Sequence, residues 1–244
     1  MATGPLILYG CATSTGVLET DAPRGAIAAQ PGRRGLVIAA PHSTSDVRTA
    51  DIAADLGRRT GFGVVIATGV VVEPDTRART DRRSRVNRPT EGVPGRPPSE
   101  EVTIDCAREV DDAYEARVRV VARGPLEFLA EIHGNNHRDD AGPIEIATVG
   151  IDRELAFRLR ALLEVIRDAH LRGYAEAPRL DVRIEPADAL RSAASGATRC
   201  GILRAPERAL HIELPTAART EWREVYTAIL ADFLVQAAGY DPGR

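Results

Sequence analysis

The chain contains no lysine: all 32 of its basic residues are arginine. A Walker-type phosphate loop closes on a lysine, and Schiff-base chemistry needs a lysine amine, so both are excluded at once. Cysteine is scarce too. Cys11, Cys106 and Cys200 are far apart, odd in number and without C-x-x-C spacing. That argues against a disulfide framework or a cysteine-built zinc site and fits a reducing, cytoplasmic setting. No run reaches the roughly 18 consecutive apolar residues of a membrane span. The short apolar stretch after Met1 has no basic flank, so no signal peptide is expected. A formal net charge of −3 removes any global pull toward nucleic acid or anionic membrane. What is present, 43% hydrophobic and 27% charged residues over 244 positions, suffices for one sizeable core, and a single domain over 1–244 is expected.

Periodicity sets out an α/β alternation. Gly35 to Ala40 is a short apolar run that predicts a buried strand, stopped by Pro41. Ser43, Thr44 and Ser45 are candidate caps for a helix over 46–59. Gly61 and Gly63 break the chain before a β-branched strand over 64–72. Strand, helix, strand in this span is a βαβ unit with a parallel crossover. Residues 73–98 read as a long loop. A helix over 99–123, strands over 126–132 and 144–151, a helix capped by Asp152 and running to 172, a strand over 209–214 and a helix over 217–238 follow; 175–205 has no clear period. The pattern predicts a three-layer α/β/α domain with a mostly parallel mixed sheet. Ligands of such sheets sit beyond the carboxyl ends of the strands, where His42, His133 and Glu213 all fall.

Four segments carry residues able to do chemistry. His42 and Asp46 frame a strand-to-helix turn; imidazole and carboxylate are standard zinc ligands, and the plainer alternative is a loop histidine with Asp46 favouring a helix N-terminus. In Glu131-Ile132-His133-Gly134 the alternation of a strand points Glu131 and His133 to one face, while His137 reads as a solvated loop residue. Arg85-Val86-Asn87-Arg88-Pro89 offers a planar fork able to bind a carboxylate bidentately. The arginines at 77, 79, 82, 83, 85 and 88 can equally be a solvated basic loop. Between 77 and 88 there is no aromatic residue on which a base could stack, so nucleic acid is not the expected partner. In His211-Ile212-Glu213 the two polar residues share one face of an otherwise apolar strand. A buried carboxylate is costly unless paired or functional: Glu213 is a candidate general base, or else an ion-pair partner of Arg219.

In this order, Pro41-His42-Ser43 after an early strand, Asn87-Arg88-Pro89, His133 at a strand end and a late Ile212-Glu213-Leu214 strand resemble the zinc carboxypeptidase superfamily, in particular its N-formylglutamate amidohydrolase branch, over roughly residues 35–220. The resemblance implies one zinc per chain held by His42, an acidic residue shortly after it and His133. It implies a substrate carboxylate held by Asn87 and Arg88, a water activated by Glu213, and a small N-acyl amino acid or short peptide as substrate. Many carboxypeptidases place the acid three residues after the first histidine. Here that position is Ser45 and the acid is Asp46, which can ligate only if the turn is reshaped. A non-catalytic anion-binding protein with a degenerate metal site is the alternative.

Overall fold

A computed structural model describes residues 18–22, 25–68, 90–91, 102–103, 105–135, 139–192, 194, 198 and 201–240. Its strands are β1 (Leu18–Ala22), β2 (Gly25–Gln30), β3 (Arg33–Ala40), β4 (Phe62–Thr68), the two-residue β5 (Thr90–Glu91) and β6 (Val102–Thr103), β7 (Phe128–Gly134), β8 (Ile144–Val149), β9 (Val182–Ile184) and β10 (Arg208–Leu214). The helices are α1 (Thr49–Thr60), α2 (Asp105–Ala122), α3 (Arg153–Leu171), the short α4 (Thr216–Arg219) and α5 (Arg223–Gly239).

Eight strands form one sheet in the order β1-β2-β4-β3-β7-β10-β8-β9. Its centre, β4-β3-β7-β10, is parallel, as is β8-β9; β1-β2, β2-β4 and β10-β8 are antiparallel. The central strands are buried on both faces, from Leu36 to Ala40 in β3 and from Phe128 to His133 in β7, as parallel strands covered by helices on both sides must be. Side-chain alternation then divides the core. Ile38, Ala130, Ile132, Leu210 and Ile212 point to one face and pack with Ile52, Leu163, Ile229 and Phe233 of α1, α3 and α5. Val37, Ala39, Leu129 and Ala209 point to the other and pack with Val110, Tyr114, Val118 and Val121 of α2. Helices on both faces of a mixed sheet with a parallel centre make the three-layer α/β/α architecture read from the periodicity.

Several boundaries differ, for local reasons. The serines and threonine after His42 do not cap α1, which begins at Thr49 behind Arg48 in the left-handed conformation, without a side-chain cap. Ser43 Oγ donates instead to Ala40 O at 3.0 Å, and Ser45 Oγ to His42 O. Asp152 does cap α3, accepting from Leu155 N at 2.8 Å. The helix expected over 99–123 begins only at Asp105, behind the bridge made by β6. The final helix is broken at Thr220–Trp222, which leaves Arg219 buried at the end of α4. Strands β1, β2 and β9 had no sequence signal strong enough to predict them: β2 is mostly alanine and glycine, poor β-formers. Among the described residues no helix is long and apolar enough to cross a membrane.

Candidate metal centre

Strand β3 ends at Ala40, and the chain turns through Pro41 and His42. Asp46 N donates to His42 O at 2.8 Å, closing one helical turn that does not continue into α1. Residues four apart in such a turn stand on one side of it. The turn brings the late acid to both histidines: Asp46 Oδ2 lies 3.7 Å from His42 Nδ1 and 3.5 Å from His133 Nδ1. Two further donors fix its carboxylate, Gly134 N on Oδ2 and Ser45 Oγ on Oδ1, each at 3.2 Å. Ser45, standing where the acid was expected, thus orients the acid that follows it. Asp46 therefore faces the two histidines rather than serving as the start of α1.

His133 arrives from the end of β7, and its Nδ1 is 3.2 Å from His42 Nδ1. The three donor atoms are thus separated by 3.2, 3.5 and 3.7 Å. Ligands of a tetrahedral zinc with bonds near 2.0–2.1 Å are about 3.3 Å apart, so the donor set and its spacing fit a divalent ion. The exposures agree: His42 and Asp46 side chains are 17% and 13% exposed, whereas His133 is 2%, giving a site open to solvent on one side.

The next strand contributes the complement. Parallel pairing of β7 and β10 sets Glu131 beside His211 and His133 beside Glu213, so histidines and glutamates alternate in a two-by-two block on the face that carries α2. Glu213 Oε1 lies 3.1 Å from His211 Nε2. Glu131 is fully buried, accepts from Tyr114 Oη at 2.6 Å, and has Oε2 at 3.4 Å from His133 Nε2 and 3.6 Å from His211 Nδ1. The His133 and His211 rings stack, with centroids 3.9 Å apart.

This block sets the charges. Burial opposes ionisation of Glu131, but the neighbouring His133 and His211 rings together outweigh it and hold the carboxyl well below its usual range. Asp46 is likewise held low against its own burial, by His133 and His42. Burial would discharge His133, yet the hydrogen bonds to Asp46 and Glu131 raise it to about 9. His42 goes the other way: burial lowers it, and the charge of His133 adds to the fall despite Asp46. Burial opposes ionisation of Glu213 as well, but His211 and His133 together outweigh it and hold the carboxyl low.

Asn87 and Arg88, and the arginine-rich stretch around them, lie outside the described residues, as does His137. Arg219 donates to Leu214 O (3.1 Å), Val47 O (2.8 Å) and Asn135 O (2.9 Å), joining the ends of β10 and β7 to the His42 turn. It packs so closely on Gly134 that a Cβ there would meet the guanidinium carbon at 2.5 Å. The role of Tyr114 was not read from the sequence, where it is one more apolar position of a helix. The partnership of Glu131 with His211 was not read either, although Glu131-x-His133 and His211-x-Glu213 are complementary patterns on two strands.

No protein-family model matches the chain, and no curated protein does. Solved structures do. One is YndL in a zinc-free form, with 13% identity, a TM-score of 0.51, and 88% of this chain and 91% of that one covered. Another is a bacteriophage poly-γ-glutamate hydrolase, at 12% identity and TM-score 0.45, with 90% of both chains covered. A third is a metallo-carboxypeptidase from Burkholderia cenocepacia, at 12% identity and TM-score 0.47, covering 93% of this chain and 64% of that one. The first shares the fold of this chain.

Proposed function

We propose that the protein is a zinc-dependent amidohydrolase acting on a small N-acyl amino acid or short peptide that bears a carboxylate. The observation that carries this reading is the convergence of His42 Nδ1, Asp46 Oδ2 and His133 Nδ1 from a turn and a strand end, at 3.2–3.7 Å from one another. A divalent ion held by these atoms supplies Lewis-acid polarisation of a carbonyl and acidification of a water. The remaining chemistry belongs to the chain. Glu213, ionised and steadied by His211, accepts a proton from the attacking water and returns it to the leaving amine nitrogen. Asn87 and Arg88 hold the substrate carboxylate, an assignment that rests on the sequence resemblance; the developing oxyanion needs an arginine as well, and residues 77–85 are the candidates. The four-residue spacing of His42 and Asp46, which favours a degenerate, non-catalytic site, is offset by a turn that brings Asp46 Oδ2 to 3.7 and 3.5 Å from the two histidines.

The test is metal content and turnover on the same samples. The purified protein is expected to carry one zinc per chain, and His42→Ala and His133→Ala to lose it. A panel of N-acyl amino acids should be hydrolysed and their carboxamides spared. Full zinc retention by both variants, or no turnover by a zinc-loaded wild type, rejects the reading.

A further inference from the structure

Glu131, His133 and His211 form a second cluster of three metal-capable side chains, sharing His133 with the first. The share is through opposite ring nitrogens: Nδ1 faces His42 and Asp46, Nε2 faces Glu131. Loading both clusters at once would require His133 as a doubly deprotonated bridge. The geometry around Glu131 favours another use. Tyr114 already holds Oε1 at 2.6 Å, and Oε2 sits between two ring nitrogens at 3.4 and 3.6 Å. Tyr114 Oη and the His133 ring nitrogen satisfy this buried carboxylate without a cation, and His211 Nδ1 stands beside them at ion-pair distance. In the amidohydrolase reading His211 steadies Glu213 through Nε2, which leaves its Nδ1 without a task. It is 6% exposed, lies flat against His133 at 3.9 Å, and presents Nδ1 to Glu131 and Nε2 to Glu213. Its Nδ1 has no hydrogen bond of its own among the described residues.

We propose that His211 is a positioning residue with two separate outputs, and that its cluster is not a second metal site. Through Nδ1 and Glu131 it fixes the orientation of the His133 imidazole. Through Nε2 it fixes the Glu213 carboxylate. A carboxylate behind a metal-binding histidine sets the tautomer and aim of the ring, and loss of such support costs about 10–100-fold in metal affinity or activity. The inference rests on the zinc-hydrolase reading, so its test separates the two.

The two nitrogens can be removed one at a time. The amide of asparagine reaches the position of Nδ1, and that of glutamine the position of Nε2. In wild type, His211→Asn and His211→Gln, zinc stoichiometry and Kd are measured by competition with a chromogenic chelator, and kcat and KM at saturating zinc on the best substrate of the panel. His211→Asn is expected to keep zinc affinity within about threefold and to lower kcat about 10–100-fold with KM little changed. His211→Gln is expected to weaken zinc about 10-fold or more and to keep most of kcat once loaded. Melting curves on the same samples exclude unfolding as the cause. Two zinc ions in the wild type falling to one in both variants would make the cluster a metal site and overturn the proposal. Equal effects of both variants on affinity and on kcat would overturn it too, leaving the hydrolase reading intact. A wild type that binds no zinc rejects both.

Discussion

At the scale of single residues, the charges of this protein are decided by who sits beside whom in the interior. Glu213→Gln preserves shape and removes the ability to accept a proton. It is expected to leave fold and zinc content unchanged and to lower kcat by about 10²–10⁴-fold, with binding of a substrate analogue changed far less. Steady-state kinetics beside melting curves reads this out; a zinc-loaded variant with near-normal turnover would remove Glu213 from the mechanism. Asp111 on α2 is a different case. It is 4% exposed, its Oδ1 has no hydrogen-bond partner among the described residues, and burial, aided by the negative charges of Glu115, Asp112 and Glu131, raises it to about 7. The folded state therefore holds a proton that the unfolded chain releases near pH 4. Stability from this group is fully present below that pH and is lost as pH rises through about 7. Asp111→Asn is expected to flatten that slope by on the order of 2–4 kcal/mol and to raise the melting temperature at pH 8. An unchanged pH profile would show that Asp111 is already paired.

At the scale of elements, the site is a meeting of ends. The ends of β3, β7 and β10 are held in register by Arg219, whose three backbone contacts join Val47, Asn135 and Leu214. The fit requires glycine at 134, where any Cβ collides with the guanidinium. Gly134→Ala is expected to cost about 1–3 kcal/mol by overpacking and to lower zinc affinity as well, because Gly134 N is also a donor to Asp46. A stability loss with zinc affinity unchanged would separate the staple from the site. Two-residue alternation explains why the four polar side chains on β7 and β10 need no special turn: register alone sets Glu131 against His211 and His133 against Glu213.

At the scale of the whole molecule, the proposed zinc site would link metal binding to folding. A ligand that binds only the folded state at 1,000 times its Kd stabilises by about 4 kcal/mol, so chelator is expected to lower the melting temperature and zinc to restore it. His133, held charged to about pH 9 by Asp46 and Glu131, must release its proton to bind zinc, so the increment grows from pH 6 to pH 9. The sign is opposite without metal: a raised histidine contributes stability below about pH 6.5 that is lost as pH passes 9. Melting curves with and without zinc at three pH values give both slopes; a zinc increment independent of pH would show that His133 is neutral before the metal binds.

The sequence by itself determined the layered α/β alternation, because apolar runs of strand length and helical stripes are local signals that survive without coordinates. It also placed His42, His133 and Glu213 at strand ends, from Pro41, Gly134 and the end of the apolar run over 209–214. It could not give β2, whose alanines are held in a strand by pairing with β1 and β4 rather than by propensity. Nor could it say whether Asp46 reaches the histidines: that depended on the extra turn before α1, and the serines read as helix caps turned out to bond within that turn. Above all, the pairing of Glu131-x-His133 with His211-x-Glu213 required the strand order of the sheet. Residues about 80 apart become neighbours only because β10 lies next to β7, and strand order is set by non-local packing that no window of sequence contains.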